Sequence, residues 1–189
     1  RHAPTPLWIE DHSRCRERID SWRREGMRDL RQRLAAQPEA IAELLDLVVI
    51  LDVNEAALSR YGYRDRDELV ADLGHVYSSH TRELYAGLFC ALLAGQTTYT
   101  AEDVSFTRSG EQITTLVTFS VAPGHERTWD LVFCSDPDIT GQKAAEELAT
   151  LQRDVLTTVA SSDDLPQAFS RLLDLLVSLG VEVSQRKHT

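Results

Sequence analysis

The chain has 189 residues, 42% of them hydrophobic and 26% charged, with a net charge of -10 and a pI near 5.0. Length and hydrophobic content suffice for one packed domain with appended helices and exclude wholesale disorder. The acidic balance excludes a nucleic-acid surface, which needs a basic face, and no apolar run approaches the roughly 18 to 20 residues of a membrane helix, so no membrane contact is expected of this segment.

Pro6-Leu7-Trp8-Ile9-Glu10 reads as a short strand, and Asp11-His12-Ser13 supplies cap-forming side chains for a helix after it. Cys15, Ile19 and Trp22, then Leu30 and Leu34, fall at helical spacing with Gly26 as a break, and Pro38 opens a third helical piece through Ile41, Leu44 and Leu45. The arginines between Arg14 and Arg33 alternate with acids, the pattern of a solvated helix face. Leu47-Val48-Val49-Ile50-Leu51-Asp52-Val53 is β-branched and continuous, as in a strand covered on both faces.

Asn54 then caps a helix over 55–61 that Gly62 ends, and Asp65 starts another small helix. A longer helix begins near Ser78 or Ser79, carries Leu84, Leu88 and Leu92 on one face, and ends at Gly95. Residues 97–107, 112–121 and 128–135 are rich in β-branched and aromatic types and predict three consecutive antiparallel strands, the first turn holding Gly110 and the second Pro123-Gly124. Leu116, Val117, Thr118 and Phe119 leave the buried face of the middle strand open. From Asp138-Ile139-Thr140 the pattern is helical to residue 160, with Ala144, Leu148, Leu151 and Val155 spaced as a coiled-coil seam, and a further helix is expected over 165–179.

Asp52-Val53-Asn54, then Glu55-Ala56-Ala57-Leu58 running into Tyr61-Gly62-Tyr63, a three-stranded meander, and Asp138-Ile139-Thr140 leading through Lys143 into Ala145-Glu146-Glu147-Leu148 together resemble the PAS domains of bacterial sensory-box signalling proteins. The resemblance covers about residues 6–148 and is sharpest at its two ends. It implies an α+β fold: a five-stranded antiparallel sheet with helices on one face, a helical N-terminal insertion and C-terminal signalling helices. Residues 1–46 then hold the first strand with the insertion, or an independent cap. Residues 47–138 form the PAS core, 139–160 a coiled-coil signalling helix, and 161–189 the possible start of a GAF-like module.

The implied function is sensory and regulatory rather than catalytic. A homodimer through 139–160 would relay a signal to an output domain in cis, a histidine kinase or a GGDEF-type diguanylate cyclase, in the cytoplasm. The alternative is a receptor that binds a small molecule, haem or flavin in the PAS pocket, with Tyr99, Phe106, Thr118 and Trp129 as lining candidates. Asp52, Asn54, Gly62, Gly110, Asp138, Thr140 and Lys143 have structural and coupling roles in this reading.

No particular cofactor is required by the residues. His75 and His80 stand near the start of the long helix, where some PAS domains hold haem, but both read as surface histidines. The Asn-Cys-Arg-Phe type motif of flavin-adduct PAS domains is absent and Cys90 reads as core. Cys15, Cys90 and Cys134 are widely spaced and form no CxxC, which suggests neither disulfides nor zinc. No nucleophile, P-loop, metalloprotease or Rossmann motif is present. Glu102 and Asp103 lie on a strand where one of them could face a pocket, and a solvent-facing acid is the expectation.

Overall fold

The structure, a computed structural model, describes residues 5–160. The chain divides into two compact units, 1–140 and 141–189. In the first, β1 (Leu7–Asp11) is followed by three helices, α1 (Ser13–Arg24), α2 (Leu30–Ala36) and α3 (Pro38–Leu45), before β2 (Val49–Val53). Four more follow, α4 (Glu55–Tyr61), α5 (Arg66–Ala71), α6 (Leu73–Val76) and α7 (Ser79–Leu93), and then β3 (Thr98–Phe106), β4 (Gln112–Val121) and β5 (Val132–Ser135). The strands form one antiparallel sheet in the order β2-β1-β5-β4-β3.

Strand parity decides what the sheet buries. On the inner face lie Trp8 and Glu10 of β1, Cys134 of β5, Val117 and Phe119 of β4, and Asp103 and Ser105 of β3. This resolves the middle strand: Leu116 is exposed, and Thr118 points outward, its hydroxyl 3.0 Å from that of Thr100. β1 pairs with β2 in spite of the intervening helices.

β2 corrects one expectation. It is an edge strand with only Ile50 buried, and the register slips so that Ile9 faces Asp52 while Glu10 faces Ile50, which leaves Leu51 as a bulge residue. An extra residue breaks the period of two, so Leu51 and Asp52 both face solvent. A continuous β-branched run therefore marked a bulged edge.

The insertion shares the core of the sheet. Ile19, Trp22, Leu30, Leu34, Ile41 and Leu44 join Phe89, Leu92 and Val132 in one apolar cluster. The arginines of α1 and α2 are only in part the solvated face expected of them. The guanidiniums of Arg18 and Arg33 lie 5.0 and 4.3 Å from the Trp22 ring, and that of Arg16 lies 4.8 Å from Trp129.

Asn54 joins three segments. Its Oδ1 accepts from Ala57 N at 2.9 Å as the cap of α4 and from Leu7 N at 3.1 Å, and its Nδ2 donates to Thr5 O at 2.9 Å. Asn54→Ala is expected to lower stability by about 1 to 2 kcal/mol, read as a shift of the urea midpoint, because a cap and a β1 clamp are lost together. Gly62 ends α4 in the left-handed region at φ 82°, and Gly110, at φ 84°, turns β3 into β4. Asp52 bonds its neighbour Val53 N at 2.9 Å on the exposed edge.

The described part of the second unit belongs to a long helix, α8 (Thr140–Ala160). Lys143 lies in its first turn, half-buried, and Leu148 of the expected seam is 56% exposed. The helix expected over 165–179 and the GAF-like start lie outside the described residues. Among those described, no helix is long and apolar enough to cross a membrane.

Candidate functional site

Between the inner sheet face and α4, α6 and α7 lies a cavity of about 40 Å³, room for two or three waters. Aromatic rings wall it: Trp8, Tyr61, Tyr77, Tyr85 and Phe119. Three carboxylates also reach it from three strands, Glu10 of β1, Asp103 of β3 and Asp136 just beyond β5. They are 2%, 4% and 3% exposed, and carboxylates so deep persist only when hydrogen-bonded.

Each has its own partners. Asp136 accepts from Trp8 Nε1 at 3.0 Å and from the Tyr61 hydroxyl at 2.6 Å. Asp103 accepts from Thr81 Oγ1 at 3.0 Å and Ser105 Oγ at 3.1 Å. Glu10 takes the Tyr85 hydroxyl at 3.2 Å and stands 2.6 Å from His12 Nε2, on an imidazole that is fully buried. His12 Nδ1 finds no hydrogen-bond partner among the described residues.

Burial, more than the neighbouring acids, shifts two of these carboxyl groups. Burial raises the Asp136 carboxyl to about 6 against the hydrogen bonds of Tyr61 and Trp8 and the charge of Arg60, with Glu10 adding to the rise. Burial also raises Asp103, opposed by Thr81 and Ser105. The Tyr61, Tyr85 and Cys134 protons are held firmly, by burial first and then by the neighbouring acids. The site can therefore exchange a proton at Asp136 around pH 6, while its thiol and phenols stay protonated.

The exit from this site is short. Two residues after Asp136, Asp138 Oδ1 accepts Thr140 N at 2.8 Å at the start of α8, and its other oxygen lies 3.5 Å from Arg60 of α4. Burial works to raise Asp138, but the Thr140 bonds and the Arg60 charge prevail and hold it below the usual range. Thr140 Oγ1 accepts Thr114 N at 2.8 Å, Ile139 N donates to Thr114 O at 2.8 Å, and Leu116 N donates to Pro137 O at 3.0 Å, so the segment before α8 is laced to β4.

None of the four lining candidates faces this cavity. Phe106 and Thr118 have outward parity. Trp129 is buried in the loop before β5 at φ 59°, stacked on Phe89 at 6.4 Å, and its carbonyl accepts His12 N at 2.8 Å. The left-handed turn shortens β5 to four residues, so the strand expected from residue 128 begins at Val132. Tyr99 is on the inner row of β3 but lines a separate outer groove.

Asp103 is buried where a solvent-facing acid was expected, and only Glu102 is exposed. The signal for the missed acids was parity: Trp8 and Glu10, Cys134 and Asp136, and Asp103 and Ser105 are each two apart. Cys90 is half-buried at the core edge rather than within it. His75 and His80 are exposed and do not line the cavity. Haem and flavin do not fit the residues present, because the space is a few waters wide and no lining residue is a histidine. Among the described residues no cluster of histidine, cysteine and carboxylate side chains could hold a metal ion.

The five-stranded antiparallel sheet, the helices on its inner face, the Asn54-capped α4 and the Asp138-Ile139-Thr140 start of α8 are arranged as in the PAS fold. No family model and no curated protein matches the sequence. Similar solved structures include a domain of a sensory box sensor histidine kinase/response regulator from Geobacter sulfurreducens, 20% identical over 72% of this chain and 85% of that one, with a TM-score of 0.41. A sensory box histidine kinase/response regulator from Burkholderia thailandensis E264 is 19% identical over 56% and 80%, with a TM-score of 0.45. The LOV domain of a blue-light activated histidine kinase from Erythrobacter litoralis EL346 is 11% identical over 74% and 99%, with a TM-score of 0.46.

Proposed function

We propose that the chain is a sensory and regulatory module that relays the state of its inner cavity through Asp136-Pro137-Asp138-Ile139-Thr140 to α8, and through α8 to an output domain, a histidine kinase or diguanylate cyclase. The observation that carries this reading is the position of Asp136. One carboxylate holds β1 through Trp8 and α4 through Tyr61, and stands two residues from the cap of α8. A change of protonation or hydrogen bonding at Asp136 would act two residues from the backbone that starts the helix, the kind of local event that can bias a helix's position.

α8 is proposed to pair with its twin in a homodimer. The exposed Leu148 at seam spacing with Ala144, Leu151 and Val155 supports this. Sedimentation of the full chain should give a dimer that Leu148→Glu shifts to monomer; a monomeric parent chain would sink the pairing. For the relay, the hydrogen-exchange protection factors of residues 138–144, corrected for the intrinsic pH dependence of exchange, should change between pH 5 and 7.5 in the parent chain and stay constant in Asp136→Asn. Identical profiles would refute it.

The receptor reading is favoured by one observation, the aromatic cavity lined by three hydrogen-bonded carboxyl groups, which suits a ligand of a few heavy atoms. Haem and flavin are not proposed.

A further inference from the structure

The insertion builds a second concave surface. α2 and α3 pack beside α7, and a groove of about 470 Å³ runs between them, a size typical of small-molecule sites. Its walls are apolar: Leu34 and Ile41 from the insertion face Ala86, Gly87 and Cys90 of α7, and Tyr99 of β3 closes one side. Gly87 is what admits Tyr99. A Cβ there would stand 2.0 Å from the Tyr99 hydroxyl oxygen, so only a position without a side chain lets the phenol lie against α7.

The polar groups around this groove lack partners. Arg31 and Arg82 stand on it, exposed, and neither has an ion pair among the described residues. The Tyr99 hydroxyl makes no hydrogen bond among them either. Glu83 is the one acid among the described residues that line it, and Asp29 acts on Cys90 from the cap of α2. In a chain of net charge -10, two unpaired guanidiniums lining one groove favour an anion there. Apolar walls disfavour a bare inorganic anion, and the guanidiniums repel an amine or a metal ion.

We propose that this groove binds a small amphipathic carboxylate, an apolar chain or ring ending in one carboxylate. The apolar part lies between Leu34, Ile41, Ala86 and Cys90. The carboxylate takes Arg31 and Arg82, whose planar guanidiniums suit two-oxygen recognition, and the Tyr99 hydroxyl is a further donor within the groove. Tyr99 shares the inner row of β3 with Asp103 and Ser105, so the occupant touches the strand that lines the inner cavity. Binding itself does not depend on the relay to α8.

Cys90 supplies the readout, because it alone of the three cysteines is partly accessible; Cys15 and Cys134 are buried. Alkylation of the full chain by iodoacetamide, followed by intact mass and checked against Cys90→Ser, should be slowed at least fivefold by decanoate below its micelle concentration, saturably. Decanol and decylamine should give little protection. Arg31→Gln combined with Arg82→Gln should raise the half-saturating decanoate concentration at least tenfold. No protection by decanoate, equal protection by all three compounds, or unchanged half-saturation in the double variant would each overturn the proposal. If the double variant fails to fold by circular dichroism, the comparison of the three compounds on the parent chain decides alone.

Discussion

Asp136→Asn should flatten the pH dependence of stability between pH 4 and 6.5, where the parent chain is expected to lose about 3 kcal/mol from this one group. The sign follows from linkage. Burial raises the folded carboxyl from 3.8 to about 6, so between those values the folded state binds the proton and the unfolded state does not. The contribution of this group is then fully present below about pH 4, is lost as pH rises to about 6, and is constant above; about 1.36 kcal/mol for each pKa unit gives the size. Glu10 opposes ionisation of Asp136 from β1 and Arg60 favours it from α4, so both set the midpoint. Urea midpoints across pH, parent minus variant, isolate the effect, and a difference that does not vary with pH would contradict it. Asn keeps the size and can still bond Trp8 and Tyr61. Asp136→Ala cannot, and stranding two buried donors should cost about 2 to 5 kcal/mol at any pH.

Trp22→Ala should destabilise the whole first unit by about 3 to 5 kcal/mol in a single cooperative transition. Trp22 is fully buried on α1, stacked under Arg33 and Arg18, and belongs to the same apolar cluster as Phe89 and Val132. If 13–46 were an independent cap, the variant would instead show an early transition for the insertion and leave the sheet unfolding where it does in the parent. Far-ultraviolet circular dichroism and hydrogen exchange on β4 during urea unfolding separate the two outcomes.

The elements were legible where local chemistry acts alone. Asn54, Gly62, Ser78 and Gly95 sit at helix ends as capping and left-handed preferences dictate. Asp138 and Thr140 announce α8 in the same way. What depends on distant pairing was hidden. Composition could not show that Leu51 is a bulge residue, because a bulge exists only relative to β1. Trp129 looks like a strand residue by type, and its loop placement is fixed by Phe89, Arg16 and His12 from elsewhere in the chain. The acids of the cavity were visible as residues but not as a set. Glu10, Asp103 and Asp136 belong to separate segments that only the sheet order brings together.

That sheet order also constrains how the protein can be made. β1 lies between β2 and β5, so a central strand is contributed by the first residues of the domain and one of its neighbours by nearly the last; Trp8 and Asp136, joined by a hydrogen bond, are 128 residues apart. While the chain is being synthesised, β1 can pair with β2 but its other edge stays open until β5 has emerged. Closure of so long a loop is slow, and the open edge is an aggregation hazard meanwhile. The last strand to appear is followed directly by Asp138-Ile139-Thr140, so α8 acquires its anchor at the moment the sheet becomes complete.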